Sequence, residues 1–309
     1  MAGQLTWLVT GCSSGMGESL VHAILAAVSI LPNRRYLLPS TKLISRLQGD
    51  RVIATARARD KSGLERLAPL KDAGAALMEL DVTAPEEMIH DKVKEAWSIY
   101  GQVDVLVNNA GYIEASIFEE TDEALLTAAL RNNAIGPLNL TRAFLPYMRS
   151  RRSGTLLFMS TLGVYYGAPG AGPYTSAKGL LENLVSCLQH EVEPFGLRTC
   201  MLTAGYFRTN VMTPGNVQFR APRPVPEYAE MNKQVQAHVN AADQSQPGDP
   251  RKAADVIVEA VRGEGRCAGK VLPARLPLGA DAVKAMRGNA EANSKICAEW
   301  EDIASSTNL

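Results

Sequence analysis

The sequence predicts an α/β protein built on one open, parallel, doubly wound sheet flanked by helices. Three observations predict it. Six short apolar runs alternate with helical patterns along the chain. The runs are bounded by glycine, asparagine and proline, the residues that punctuate regular structure. The first run, Leu5-Thr-Trp-Leu-Val9, meets a glycine-rich turn that opens into a helix. Strands alternating with helices need crossover connections, and these pack as a parallel sheet with right-handed crossovers.

The chain has 309 residues, enough for one large or two small domains. The unbroken alternation favours a single domain over 1–309. Hydrophobic residues make up 46% and charged residues 21%, the balance of a globular protein. Lysine plus arginine equals aspartate plus glutamate at 32 each, so there is no general pull toward nucleic acid or an anionic membrane. Cys12, Cys187, Cys200, Cys267 and Cys297 are odd in number and lack metal-ligand spacing. They read as reduced thiols of a cytoplasmic protein, with no metal expected. The N-terminus lacks the basic start and apolar core of a signal peptide. No apolar run reaches the ~20 residues of a membrane span.

Thr10-Gly-Cys-Ser-Ser-Gly-Met-Gly17 follows the first strand, and a helical pattern covers 18–27. Strand, glycine-rich turn and helix are the context a dinucleotide-binding turn requires. Gly11 permits the tight turn, Gly15 lets backbone approach a pyrophosphate, and Gly17 lets helix and strand pack closely. Ser13, Ser14 and Met16 complete the turn, where free N–H groups of the helix start face phosphates. The plainer alternative is an ordinary loop.

A second strand, Arg51-Val-Ile-Ala-Thr-Ala56, should follow that helix after about two to six residues. Residues 28–48 intervene instead. They hold two prolines and no pattern that must pack on a parallel sheet. Joining Ala27 to Gly49 restores a short connection with glycine at the helix end. The segment is a whole number of codons, and its two ends can be encoded by sequences that begin and end like an intron. It reads as a translated intron or as a surface loop. Its leucines and Arg34, Arg35, Lys42 and Arg46 also permit a membrane or partner-binding hook. Beyond the strand stand Arg57 and Arg59. A cofactor with a bare ribose meets an acidic residue at this place. Ala56 offers none, whereas Arg57 offers a fork suited to a 2′-phosphate, which favours NADP(H) over NAD(H). The plainer reading is a solvated turn.

Residues 61–73 read as a helix, and 75–80 as a third strand ending in Asp81-Val82. Asp81 is a candidate acceptor for an adenine amine; alternatively, it or Thr83 caps the helix predicted from Pro85 to Tyr100. A fourth strand over 102–107 ends in Asn108-Asn109-Ala110-Gly111, small residues and amides that suit a ligand crevice. One long helix is expected over 122–147, containing Asn132, Asn133 and Gly136. Mid-helix asparagine is disfavoured, so it is either exposed and idle or holds a water against the backbone. A fifth strand over 154–159 delivers Ser160 and Thr161. A glycine- and proline-rich loop then leads to Tyr174, and the helix beyond carries Lys178. Residues four apart share one helix face. The Lys178 ammonium should favour the phenolate and lower a tyrosine pKa that ordinarily sits at about 10. A phenol so tuned gives and takes a proton near neutral pH. A sixth strand over 197–202 ends in Thr203-Ala204-Gly205. Residues 206–240 read as a substrate flap over the crevice. The tail, 274–309, should hold an extended piece near Pro277 and two helices, and carries no recognisable chemistry.

Together these motifs resemble those of the short-chain dehydrogenases/reductases, and within them the 17β-hydroxysteroid dehydrogenase-like oxidoreductases. The resemblance covers nearly the whole chain apart from 28–48. It rests on the turn at 10–17, Asp81-Val82, Asn108-Asn109-Ala110-Gly111, Asn133, Ser160, Tyr174 with Lys178, and Gly205-Tyr-Phe-Arg-Thr209. It implies a single Rossmann-type domain and NAD(P)-linked chemistry at a CH–OH group. It further implies that Tyr174 is the acid/base and that Ser160 orients the carbonyl. Lys178 would bind nicotinamide ribose and tune Tyr174, while Asn133 supports a proton relay. Two departures stand out. Ser160 lies 14 residues before Tyr174, whereas 13 is commoner and belongs to Thr161; and Ala204 stands where a proline often precedes Gly205. The expected partner is a small, partly apolar alcohol or ketone, with no nucleic acid and no membrane span; a homo-oligomer is compatible with the sequence. The rival is a nucleotide-binding regulator without turnover, against which the complete Ser/Tyr/Lys/Asn set argues.

Overall fold

Fully buried apolar runs make the centre of the molecule. A computed structural model of the chain describes residues 3–27, 49–57, 62–213 and 216–309. The insertion 28–48 and Arg59 lie outside the described residues. Strands β1 (Thr6–Val9), β2 (Arg51–Ala56), β3 (Ala76–Glu79) and β4 (Val105–Asn108) come first. A two-residue strand β5 (Glu114–Ala115) follows, then β6 (Gly154–Thr161) and β7 (Leu197–Ala204). Last are the short β8 (Gln218–Phe219) and β9 (Arg275–Leu278). Seven of them form one sheet in the order β3-β2-β1-β4-β6-β7-β9, every pair parallel. The extended piece near Pro277 is thus the seventh strand of the sheet.

Successive strand residues face opposite ways, so each strand feeds two cores. Trp7, Val9, Val52, Ala54, Val105 and Val107 meet helices α1 (Gly15–Ala26) and, later in the chain, Pro250–Arg262 on one face. Leu8, Ile53, Leu106, Leu156 and Phe158 pack on the other face. There they meet α2 (Glu86–Tyr100), the segment Gly136–Arg151 and the helix Gly172–Val192. Strands buried on both faces must be apolar throughout, which is why they are legible as runs rather than alternations. The order reverses between β1 and β4. Crossovers leave that point in opposite directions, opening a crevice at the carboxyl ends of these two strands.

The long helix expected over 122–147 is interrupted. It consists of α3 (Glu123–Leu130), a π-helical turn Arg131–Ile135, and α4 (Gly136–Arg151). Pro137 has no N–H to give, and Gly136 passes so close to Val82 that an added Cβ would lie 2.6 Å from its carbonyl oxygen. The wider turn accommodates both and buries Asn132 and Asn133, so neither is exposed and idle. The 61–73 helix is likewise two pieces, Ser62–Glu65 and Ala68–Asp72, because Pro69 starts a new first turn.

Helix α5 (Gly172–Val192) places Tyr174 in its first turn and Lys178 in its second. The flap is pinned to the body: β8 pairs with β5, and α6 (Ala229–Ala242) follows. Then come α7 (Pro250–Arg262) and a tail with one helix, α8 (Ala280–Ser305), where two were expected. Gly288 lies inside α8 without breaking it; a helical glycine costs only about 1 kcal/mol relative to alanine. No helix among the described residues is long and apolar enough to cross a membrane.

Candidate active site

The crevice opens into a cavity of about 590 Å³. One end is walled by Gly11, Ser13, Ser14, Gly15 and Met16 of the glycine-rich turn, with Arg57 from the end of β2. Gly11 and Gly15 have φ of +71° and +65°, which L side chains rarely adopt. A Cβ on Gly15 would lie 3.2 Å from Thr209, and one on Gly17 would collide with the Gly11 carbonyl oxygen. The Ser14 side chain does not cap α1, so the helix presents its first N–H groups to the cavity. A helix N-terminus with glycine-only clearance fits an anionic pyrophosphate.

The loop after β4 is locked to this turn. Thr10 Oγ1 accepts from the backbone N–H groups of Asn109 and Ala110, both at 2.9 Å. The Asn109 amide donates to the carbonyls of Thr10 (2.8 Å) and Gly11 (3.1 Å). Asn109, Ala110, Gly111 and Val82 line the cavity. Asp81 and Gly17 are not among the residues that line it. Asp81 Oδ1 accepts from the Thr83 N–H (2.8 Å) and hydroxyl (2.7 Å), so it ties its own turn, and neither residue caps α2.

Ser160, Tyr174, Lys178 and Gly205 line the other end. Lys178 Nζ lies 5.9 Å from the Tyr174 ring centre and donates to the Met159 carbonyl at 2.8 Å. The expected lowering of the Tyr174 pKa is not what the structure has. Burial pushes Tyr174 up to about 12, because a phenolate there would lose its solvation. The same burial pulls Lys178 down to about 8, only partly opposed by the Glu182 carboxylate. Desolvation outweighs the attraction between the two groups.

Asn133 is fully buried in the π-helical turn. Its amide donates to the carbonyls of Tyr112 (3.1 Å) and Ala129 (3.3 Å), while Oδ1 has no partner among the described residues. A Cβ on Gly111 would come within 2.7 Å of Asn133 Oδ1 and 3.7 Å of Lys178 Nζ. The missing side chain keeps the space between those two groups clear.

Several contributors escaped the sequence reading. Arg66 lines the Arg57 end of the cavity and had read as part of a helical pattern. Gln246 also lines it; its amide is buried without a partner among the described residues. Its only sequence signal is the turn-forming Pro-Gly that follows. The tail braces the site: Asp281 accepts from the Tyr206 N–H at 2.7 Å, Asn289 donates to the Tyr165 carbonyl at 3.1 Å, and Arg275 meets Glu182 at 3.3 Å.

The family model of the short chain dehydrogenases matches residues 42–218, more than half of the chain. The chain belongs to the short chain dehydrogenase family. It is therefore an oxidoreductase of that family. Its sequence is 28% identical over 305 residues to oxidoreductase BOA17 of Botryotinia fuckeliana, covering 96% of this chain and 97% of that one. A solved short-chain dehydrogenase from Streptomyces avermitilis superposes with a TM-score of 0.79 at 35% identity, over 98% of this chain and all of its own. An alcohol dehydrogenase of the archaeon Thermococcus sibiricus, solved with 5-hydroxy-NADP, shares the fold at a TM-score of 0.62 and 20% identity. That alignment covers 89% of this chain and 96% of the other. The family match begins inside 28–48, the segment that separates the first strand and glycine turn from the rest.

Proposed function

We propose that this dehydrogenase is NADP(H)-dependent and interconverts a secondary alcohol and its ketone. The observation that carries the reading is the shared cavity. The glycine turn and Arg57 wall one end; Tyr174 and Lys178 stand at the other. When bound, the nicotinamide would supply or accept the hydride. The pyrophosphate fits the N-terminus of α1, and the 2′-phosphate fits the guanidinium of Arg57, with Arg66 adding a second cation to that wall.

Tyr174 is the acid/base. Burial keeps its phenol protonated, which suits it to donate to an alkoxide as ketone is reduced. Lys178, held in place by the Met159 carbonyl, offers its ammonium to the nicotinamide ribose. Asn133 Oδ1 and Lys178 Nζ border the same space beside Gly111, which supports a proton relay away from Tyr174. A hydroxyl at the end of β6 gives the substrate oxygen its second hydrogen bond. A preorganised donor of this kind contributes ~3–4 kcal/mol in the best cases.

Leu162, Tyr206, Phe207, Val211 and Met212 line the flap side, which favours a ligand with an apolar body. The resemblance to the 17β-hydroxysteroid dehydrogenase-like subgroup agrees. All five cysteines are free, which supports a reducing, cytoplasmic setting. The test is oxidation of NADPH, and separately of NADH, over a panel of ketones with the purified protein. Ketone-dependent oxidation of NADPH in preference to NADH supports the reading. Tight cofactor binding with no turnover on any ketone points to the non-catalytic regulator instead.

A further inference from the structure

We infer that Glu120 is a positioning residue that latches the substrate flap, and through it sets which ketones the enzyme takes. This rests on the ketone-reductase reading proposed above. Glu120 ends the short helical turn Phe118–Glu120, which lies between β5 and α3. It is not among the residues that line the cavity. Two residues on, the Asp122 carboxylate caps α3 by accepting from the Leu125 N–H, so the turn belongs to the rigid body. Glu120 is only 1% exposed. Burying a carboxylate is costly unless its oxygens are hydrogen-bonded. Both oxygens are, and both donors come from the flap. Oε1 accepts from the Val225 N–H at 3.0 Å, and Oε2 accepts from the Asn232 amide at 2.7 Å. The Glu120 carbonyl also accepts from the Arg223 N–H, at 3.2 Å.

Three parts of the fold meet here. β5 pairs with β8, which follows the cavity-lining residues of the flap. The Ser116 N–H donates to the Gly170 carbonyl at 2.9 Å, in the loop that leads to Tyr174. Gly170 has a φ of +76°, and a Cβ on it would lie 3.0 Å from Val235 of α6, one helical turn beyond Asn232. The chain over 114–120 thus ties the flap on one side and the approach to Tyr174 on the other. Tyr206, Phe207, Val211 and Met212 of the same flap wall the substrate end. A flap that closes over its substrate completes the site and excludes water. When this one lifts, water replaces the two flap donors on Glu120, so the latch releases without stranding a buried charge. A large apolar ketone needs the flap held in one shape along its length, whereas a small one reaches Tyr174 with little help from it. Glu120 therefore acts on substrate binding and its discrimination by size, and leaves the proton and the cofactor alone.

The experiment compares Glu120→Ala, Asn232→Asp and the double variant Glu120→Gln with Asn232→Asp, over ketones of increasing apolar size. NADPH affinity is measured by nucleotide fluorescence, and flap opening by hydrogen exchange of the amides over 218–232. Glu120→Ala should raise KM roughly tenfold for the largest ketones and less than about threefold for the smallest, the order of one net hydrogen bond, with kcat and NADPH affinity within about threefold of wild type. Asn232→Asp sets two carboxylates against each other and should act likewise. The double variant reverses donor and acceptor across the same contact, so it should return KM to within about threefold of wild type. If Glu120→Ala does not fold, Asn232→Asp, at a partly exposed position of α6, takes its place. An unchanged KM in the folded single variants, an equal rise for every ketone, or no recovery in the double variant overturns the latch. Hydrogen exchange separates the latch from the chemistry. If the wild type reduces no ketone while Glu120→Ala quickens exchange over 218–232, the ketone reading falls and the latch on the flap stands. If exchange there is unchanged, the latch falls whatever the activity.

Discussion

Lys178 gives the sharpest test of the site's electrostatics, because the structure makes it costly to the fold. Its ammonium is almost fully buried, and its pKa is pulled from the ordinary 10.5 to about 8 by lost solvation. One pKa unit is ~1.4 kcal/mol. Near pH 7 the lysine is charged both folded and unfolded, so folding bears the whole penalty, about 3 kcal/mol. Between about pH 8 and 10.5 the folded protein has released the proton while the unfolded chain still holds it, and stability is regained. Above 10.5 both are neutral and the penalty is gone. Lys178→Met removes the charge at similar length but also removes the bond to the Met159 carbonyl, which contributes ~1 kcal/mol. The variant should therefore be about 2 kcal/mol more stable than wild type near neutral pH, and the advantage should shrink and vanish toward pH 10. Urea denaturation of both proteins at several pH values reads this directly. A variant destabilised by the same amount at every pH would refute the reasoning, and show that Lys178 is a net structural support. The gain in stability should come with lost turnover, as expected when a buried charge is kept for function.

Three further outcomes follow from the same geometry. Arg57→Ala should weaken NADPH binding at least tenfold while leaving NADH binding nearly unchanged, measured by nucleotide fluorescence; equal losses would make Arg57 a turn residue. Deleting 28–48 should preserve folding and NADPH binding. Gly49 already sits against the end of α1, where a Cβ would collide with the Leu25 carbonyl and lie 3.2 Å from that of Ala27, and Gln4 donates to its carbonyl at 2.6 Å. A deletion variant that folds but loses NADPH would place the segment in the site, and transcripts that all retain it would refute the intron. Arg262→Leu should cost the fold about 3 kcal/mol by leaving the buried Asp50 carboxylate without its counter-charge, which it meets at 2.8 Å, while the Leu5 N–H and Trp7 Nε1 still donate to it; little change in the denaturation midpoint would contradict this.

What the sequence made legible is what is local or periodic. The strands of the central sheet are apolar on both faces, so Trp7 to Val9 and Val105 to Val107 read as runs whichever core they enter. The glycine turn and the Tyr174–Lys178 pair are fixed by short spacings. Long-range pairings were hidden. Nothing near Gln218 announces that it pairs with Glu114, and the tail reads as inert because Asp281 and Arg275 act on residues 75 and 93 positions away. The Tyr174 pKa was misread for a related reason. A charge four residues away is visible in a sequence, but the depth of burial that outweighs it is a property of the packed fold.

The central claim is that hydride passes between cofactor and a carbonyl carbon while Tyr174 supplies the proton. It is tested most directly by reducing a ketone with NADPH deuterated at the transferable position of the nicotinamide, and reading the product by mass spectrometry. The account predicts one deuterium on the carbinol carbon with the wild-type enzyme. It predicts no detectable product with Tyr174→Phe, even though that variant still binds the cofactor. Alcohol formed without the label, or labelled alcohol formed as fast by Tyr174→Phe as by wild type, would contradict it.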